Sequence, residues 1–294
     1  MMIDIHDLTF SYGNTKVADR LTFREDEPVI TGLWGRNGSG KTTLMKLISG
    51  LEKPGQGRVY VDGIAPYNNP EAMNHVAYMQ ESHPFSYLWN VEDALRFGAY
   101  FNANWDQKLA EELAAVFELP RKKKIHTFSK GMQTMIKITI GLASKAPVTI
   151  MDEPSNGLDA HMRKQFYDVL LDTYEEHPRL FLLSTHHIDE IEPLCEKIAV
   201  LDHQRVIRHE ETEDLKRDGI HLTGSTPAVE ILMENSRVLD ERKIGKQSNV
   251  MIDEMFTAEW ERRAKEAGVT IEKAPLQDYL VQLTKKEGKR HEYV

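Results

Sequence analysis

Residues 35–43 read GRNGSGKTT, and this stretch decides the fold. It fits the pattern G-x-x-x-x-G-K-[ST]. The compact apolar run PVITGLWG (28–35) leads into it, and KTTLMKLISG (41–50) leaves it as a helix closed by Gly50. Strand, glycine-rich turn and helix, in that order, are the context the pattern requires. Gly35, Gly38 and Gly40 let the backbone curl so that successive N–H groups point inward at phosphate oxygens. Arg36, Asn37, Ser39 and Thr43 complete the cradle. The helix start adds partial positive charge. Lys41 brings a full charge to the β- and γ-phosphates, and Thr42 offers a hydroxyl to Mg²⁺. A structural turn with an incidental lysine is the competing reading, and spacing and context count against it.

The other half of such a site lies at VTIMDEP (148–154), where an apolar strand ends in two adjacent acids. From a strand end, Asp152 reaches the Mg²⁺ shell and Glu153 is placed to orient or deprotonate an attacking water. Alone, Asp-Glu-Pro reads equally well as an acidic turn; the phosphate loop tips the balance. RLFLLSTHH (179–187) carries His186 to the C-terminal edge of another apolar strand, where ligands bind in open parallel sheets. Its imidazole can hydrogen-bond a phosphate oxygen, whereas His187 faces the other way if the strand continues. Gln80, closing HVAYMQ (75–80), can take a neutral amide to the Mg²⁺ and the water, or can simply end a strand. Tyr12, in an FSYG turn, is a strand-end aromatic.

Further out, β-rich runs alternate with helical patterns. MIDIHDLTF (2–10), GRVYVDG (57–63) and HVAYMQ read as strands. Residues 90–118 read as two helices split near Asn102-Ala103-Asn104, and 131–145 as another. APVTIMD (146–152) and RLFLLST (179–185) read as buried strands flanking a helix over about 160–175, and KIAVLDHQRVIRH (197–209) as a closing hairpin. The order implies an α/β fold with a largely parallel sheet. Composition shifts near Arg217-Asp218-Gly219. Beyond it the order is βαββαβ, a ferredoxin-like pattern, then a final helix LQDYLVQLTKKE (276–287) and frayed last residues. Two domains are expected, 1–217 and 218–294.

Bulk properties narrow the function. The 294 residues, 40% hydrophobic, suffice for one large domain and a smaller one. A net charge of −9 weighs against nucleic acid as a partner. The single cysteine, Cys195, permits no internal disulfide and no cysteine metal site; it reads as a core residue of a cytoplasmic protein. The N-terminus MMIDIHDLTF lacks the regions of a signal peptide. No apolar run approaches the roughly 20 residues that span a bilayer, so any work at a membrane passes through a partner.

GRNGSGKTT, Gln80, FSKGMQ (128–133), IMDEP (150–154), NGLD (156–159) and STHH (184–187) occur in the order and rough spacing of the ATP-binding subunit of ABC transporters. The chain resembles that family over about residues 1–217. The resemblance implies a P-loop NTPase domain with a RecA-like core, an antiparallel β subdomain and a helical subdomain over about 82–147, with the small α+β domain appended. It implies ATP and Mg²⁺ as cofactors and ATP hydrolysis as the activity. FSKGMQ looks like the family signature, usually Leu-Ser-Gly-Gly-Gln. Ser129 and Gly131 match, while Phe128, Lys130 and Met132 depart. Ser-Lys-Gly-Met is similar to variants in subunits of drug, antimicrobial-peptide and polysaccharide exporters. Met135 stands where the family often has arginine, which leaves the basic contact there unassigned. Asn156 to Asp159 resembles the loop that meets the partner across a dimer, and Tyr12 sits where the family stacks an aromatic on adenine.

The resemblance also implies how the parts work. Two subunits sandwich two ATP molecules, each nucleotide touching Lys41 of one and Ser129 of the other. Losing the γ-phosphate removes the bridge and lets the pair open. HPFSYLWNVEDALRF (83–97), with Phe85, Tyr87, Trp89 and Phe97, lies where the family receives a cytoplasmic helix of the membrane subunit. Expected partners are permease subunits on separate chains and a second ATP-binding subunit, identical or sister. The expected location is the cytoplasmic face of the cell membrane. A soluble ABC ATPase acting on nucleic acid or the ribosome is the rival. It predicts long coiled coils or two nucleotide domains in one chain, and neither is seen in the sequence. A kinase-like phosphotransferase would leave FSKGMQ and NGLD without a role.

Overall fold

The computed structural model describes residues 2–82 and 85–285. His83 and Pro84 of the aromatic segment, and the last residues read as frayed, lie outside that range. The chain divides into two units, Met1–His209 and Glu210–Val294. The division falls ahead of the expected residue 217. Residues 212–215 form a short helix ending at the buried Leu215, and the Arg217 carbonyl then accepts from Phe256 N (2.7 Å) within the second unit.

In the first unit, β1 (Ile3–Tyr12) pairs antiparallel with β2 (Thr15–Glu25). Then come β3 (Ile30–Trp34), α1 (Lys41–Ile48), β4 (Gln56–Val61) and β5 (Val76–Met79). Helices α2 (Val91–Phe101), α3 (Gln107–Val116) and α4 (Lys130–Ala143) follow, then β6 (Val148–Asp152), α5 (Ala160–Glu176), β7 (Leu180–Thr185), β8 (Lys197–Asp202) and β9 (Arg205–Glu211). Strands β2-β1-β4 form a three-stranded antiparallel sheet, and β5-β6-β7-β3-β8-β9 a six-stranded sheet. From β5 to β8 the pairings of the large sheet are parallel. Every residue of β3, β6 and β7 is buried, as strands covered on both faces must be. One apolar cluster joins Ile3, Leu8 and Phe23 of the small sheet to Leu44 and Ile48 of α1 and to Leu33, Ile150 and Leu182 of the large sheet. Each such side chain contributes roughly 1.5–3 kcal/mol by leaving water.

Strand β2 is absent from the sequence reading. Its inward residues Ala18, Leu21 and Phe23 are not evenly spaced, because bulges interrupt the β1–β2 register and Arg20 takes a left-handed φ of 50°. The period-2 signal is lost where the strand needs its irregularity.

The helices start where polar caps permit. Asn90 and Asp93 form a reciprocal capping box on α2; Asp106, Ser129 and Asp159 cap α3, α4 and α5. Helix α1 differs: Gly40 (φ 108°) precedes it and no side chain caps it. Its first N–H groups are left for a ligand.

The second unit opens with α6 (Thr212–Leu215). It continues β10 (Asp218–Ser225), α7 (Thr226–Leu232), β11 (Val238–Ile244), β12 (Gln247–Met255), α8 (Ala258–Ala267), β13 (Thr270–Lys273) and α9 (Leu276–Leu283). From β10 to β13 the order is βαββαβ, and the sheet β11-β12-β10-β13 is antiparallel throughout. Ile220, Leu222, Val250, Ile252 and Trp260 lie in its core. Among the described residues, no helix is long and apolar enough to cross a membrane.

Candidate nucleotide site

Register brings the site together. Trp34 pairs with Thr185, and Asp152 with Ser184. The C-terminal ends of β3, β6 and β7 therefore share one edge of the sheet. The phosphate loop leaves the first, the two acids end the second, and His186 follows the third.

Lys41 lies buried at the start of α1. Its Nζ donates to the Gly35 carbonyl (2.6 Å) and sits 3.5 Å from Glu153 Oε1. Burial pushes the ammonium below its ordinary value, while the adjacent Glu153 carboxylate opposes the shift. Glu153 Oε2 meets His186 Nδ1 at 2.9 Å, so lysine, glutamate and histidine form one line. Glu153 itself has a φ of 50°, in the left-handed region that few non-glycine residues adopt. A functional side chain held in such a conformation is aimed by its backbone.

Beside that line, Thr42 Oγ1 donates to Asp152 Oδ2 (2.9 Å). Two groups absent from the sequence reading fix this pair. Ser184 Oγ donates to Asp152 Oδ1 (2.6 Å) and accepts from Glu153 N (3.0 Å). Tyr78 O–H reaches Asp152 Oδ2 at 3.4 Å. Burial, then the Asp152 charge, pushes the Tyr78 phenol well above its usual range, so it stays a donor.

The residues fit a Mg²⁺-bound triphosphate. Ser39 Oγ is buried without a hydrogen-bond partner among the described residues. A Cβ added at Gly35 would lie 2.5 Å from that same oxygen and 2.8 Å from the Leu201 carbonyl. The backbone thus approaches as only glycine allows. Thr42 and Asp152 set two hard oxygens side by side, and no cluster of three or more His, Cys, Asp or Glu that could hold a metal occurs among the described residues. That is the donor set Mg²⁺ uses when phosphates complete its shell. Tyr12 borders the same helix: its O–H donates to Glu52 Oε1 (2.9 Å) and its ring is 44% exposed. Arg36, Asn37 and Gly38 are exposed on the loop, and Thr43 is half-buried. Gln80 is not drawn in; its carbonyl accepts from Lys137 Nζ (3.2 Å), and no hydrogen bond joins its amide to Thr42, Asp152 or Glu153.

Residues 18–156 match the family model described as ABC transporter. The chain is similar to the ABC transporter ATP-binding protein YtrB of Bacillus subtilis, 25% identical over 221 residues covering 75% of this chain and 76% of that one. It is 34% identical over 208 residues to human glucosylceramide transporter ABCA12, covering 68% of this chain but only 8% of that protein. Nod factor export ATP-binding protein I of Rhizobium etli is 28% identical over 220 residues, 72% of this chain and 69% of its own. The solved structure of an ATP binding subunit of an ABC transporter superposes with a TM-score of 0.67 at 27% identity, covering 74% and 92% of the two chains. The chain carries an ABC transporter ATP-binding domain.

In this ABC ATPase domain the FSKGMQ segment opens α4. Ser129 is exposed and its Oγ accepts from Met132 N (3.2 Å). Gly131 is buried against the NGLD loop, where an added Cβ would lie 2.8 Å from the Gly157 carbonyl. Asp159 accepts from Met162 N (2.9 Å) at the start of α5. Met135 is buried, so no charge sits at that position. On the same helix, Lys137 Nζ donates to the carbonyls of Gln80 and Glu81 (3.2 and 2.7 Å). Cys195 is buried in the core, as expected from the sequence, and its Sγ donates to the Ile191 carbonyl.

Proposed function

We propose that this chain is the ATP-binding and ATP-hydrolysing subunit of an exporter. It dimerises around two ATP molecules and works through membrane subunits on separate chains. The observation that carries this reading is the line of buried Lys41 and Glu153 with half-buried His186, beside the Thr42–Asp152 pair at an uncapped helix start. The glycine loop and α1 bind the phosphates, and Lys41 neutralises the β- and γ-oxygens. Thr42 and Asp152 would hold Mg²⁺, which would supply charge stabilisation on those oxygens. Glu153 takes the proton of the attacking water as its oxygen bonds to phosphorus and the bond to the β-phosphate oxygen breaks. His186 holds the Glu153 carboxylate and faces the γ-phosphate. Tyr12 stacks on the adenine.

Ser129, exposed on an α4 whose N-terminus carries partial positive charge, serves the nucleotide of a second copy or sister subunit, with Gly131 and Asp159 at the same interface. Membrane partners dock on a cavity of about 520 Å³ lined by Tyr78, Met79, Phe85, Trp89, Phe97 and Phe101. Tyr87, Leu88 and Tyr100, all exposed, widen the apolar patch around it. Trp89 and Phe97 pack with ring centres 4.2 Å apart, a firm floor for an apolar helix. The Ser-Lys-Gly-Met signature and the similarity to the Nod factor export protein support export over import in this reading. The second unit, Glu210–Val294, serves as an accessory domain, and the chain works at the cytoplasmic face of the membrane.

Glu153→Gln tests the reading. ATP turnover is expected to fall at least about 100-fold, the scale of a lost general base. ATP binding persists, and an ATP-dependent dimer accumulates in gel filtration. Adding Ser129→Arg returns that species to monomer with ATP still bound. Normal turnover in Glu153→Gln overturns the base assignment; a dimer that survives Ser129→Arg overturns the shared site.

A further inference from the structure

Glu81 follows the strand β5 and has no place in the chemistry above, yet three side chains from two separate segments converge on it. Asn156 Nδ2 donates to Glu81 Oε1 at 2.6 Å. Lys130 Nζ donates to the same oxygen at 3.4 Å. Lys137 Nζ donates to the Glu81 carbonyl at 2.7 Å and to the Gln80 carbonyl at 3.2 Å. Lys130 and Lys137 are seven apart on α4, so both project from one helix face. Asn156 lies in the loop that carries Glu153, and its own N–H donates to the Glu153 carbonyl (3.1 Å). Lys130 also lays its side-chain stem over Gly157, where an added Cβ would meet its Cδ at 3.0 Å.

One carboxylate therefore ties the Gln80 segment, the α4 start and the Glu153 loop together within a single subunit. The bonds differ in strength. The Asn156 bond is short and half-buried, while the Lys130 pair is exposed and of the kind that contributes little. Asn156 reaches Glu153 through the backbone, so the Glu81–Asn156 bond sets where the strained Glu153 backbone sits. Lys137 fixes where Glu81 starts from: burial pushes its ammonium below the ordinary lysine range and the Glu81 charge opposes that shift.

We propose that Glu81 is a positioning residue for ATP hydrolysis, acting through Asn156 on the loop that aims Glu153. The proposal rests on the reading of Glu153 as the base. Lys130, the signature's departure from glycine, pairs with Glu81 within its own subunit but at an exposed position that adds little to the positioning.

The test is a kinetic cycle on the full chain: Glu81→Ala, Asn156→Ala, the double variant, Glu81→Gln and Lys130→Ala. Glu81→Ala is expected to lower kcat about tenfold, the scale of one hydrogen bond to a charged group, with KM within about twofold. The double variant stays within about twofold of Glu81→Ala, because both remove the same link. Glu81→Gln keeps an acceptor oxygen for Asn156 and recovers at least half of kcat, a rescue that mere packing would not produce. Lys130→Ala changes kcat by less than about twofold. Effects of Glu81→Ala and Asn156→Ala that multiply, a rise in KM at constant kcat, or a Glu81→Gln no better than alanine each overturn the proposal. Glu153→Gln measured alongside separates the two ideas. If it is inactive while Glu81→Ala is normal, only the positioning role falls; if it turns over normally, the base assignment falls first.

Discussion

Ser184→Ala deletes a single oxygen that makes two buried contacts. The hydroxyl donates to Asp152 Oδ1 (2.6 Å) and accepts from Glu153 N (3.0 Å), at a residue with 0% exposure. A hydrogen bond to a charged group is worth about 1.5–3 kcal/mol, and a buried N–H left unpaired costs about 1–3 kcal/mol. The two overlap, because both follow from one lost atom, so about 3 kcal/mol is the expected loss of stability. With a urea slope of about 3 kcal/mol per molar, the unfolding midpoint falls by about 1 M. Catalysis suffers separately. Glu153 holds its left-handed conformation against roughly 1–3 kcal/mol of strain, and the Ser184 contact is what anchors its N–H. Released, the carboxylate leaves its station between Lys41 and His186, and kcat falls about 10- to 100-fold, as misplacement of a reacting group does. The phosphate loop is untouched, so ATP affinity stays within about threefold. Urea unfolding by tryptophan fluorescence, nucleotide titration and steady-state turnover read the three quantities. Thr173→Ala is the control: its buried hydroxyl donates to the Val169 carbonyl (2.6 Å) within α5, so it lowers stability without lowering kcat. A Ser184→Ala midpoint shift under about 0.2 M, or weakened ATP binding at unchanged kcat, refutes this account of the site.

Three further outcomes are expected. Lys41 has its folded-state value below 10.5, so its charge is lost earlier on the alkaline side than in the unfolded chain. Folding disfavours the charged lysine, and stability from this group rises with pH between the folded value and 10.5, while ATP affinity falls over the same window. Titrating ATP binding from pH 7 upward in the wild type and in Lys41→Arg, whose charge persists, checks the sign; parallel profiles would contradict it. Gly35→Ala forces a Cβ to 2.5 Å from Ser39 Oγ, and ATP affinity should drop more than about tenfold by the loss of backbone contacts. Gly63→Ala, whose Cβ meets nothing within 4 Å, pays only the strain of its φ of 78° and leaves affinity unchanged. Burial pushes the Cys195 thiol well above the ordinary range, so the native chain resists thiol labelling and gains one reactive thiol on unfolding. Rapid labelling of the native chain would show that Cys195 is not the core residue described.

What the sequence disclosed follows from the range over which each signal acts. GRNGSGKTT was legible because a phosphate cradle is made by consecutive backbone groups, and glycine spacing records that geometry directly. Asp152 and Glu153 were legible for a related reason: two acids at the end of an apolar strand stand out against it. Ser184 did not stand out. A serine one residue from the end of RLFLLST reads as part of a polar strand terminus, and only the β6–β7 register puts it opposite Asp152. Tyr78 faces the same carboxylate from a third strand, 74 residues away in sequence. Glu81 is the extreme case. Its partners lie 49 and 75 residues away, and nothing in the FSKGMQ or NGLD stretches that hold them points locally to Glu81. Strand β2 was lost in the opposite way, since bulges and the left-handed Arg20 erase a periodicity that a regular strand would have shown. Groups that bind the substrate were therefore readable from neighbouring residues, whereas groups that orient those binders became visible only through strand register. The same distinction explains why Lys130 looked like a departure from a motif. In the folded chain it sits at the start of α4 and pairs with Glu81, 49 residues away, a contact that no local pattern encodes.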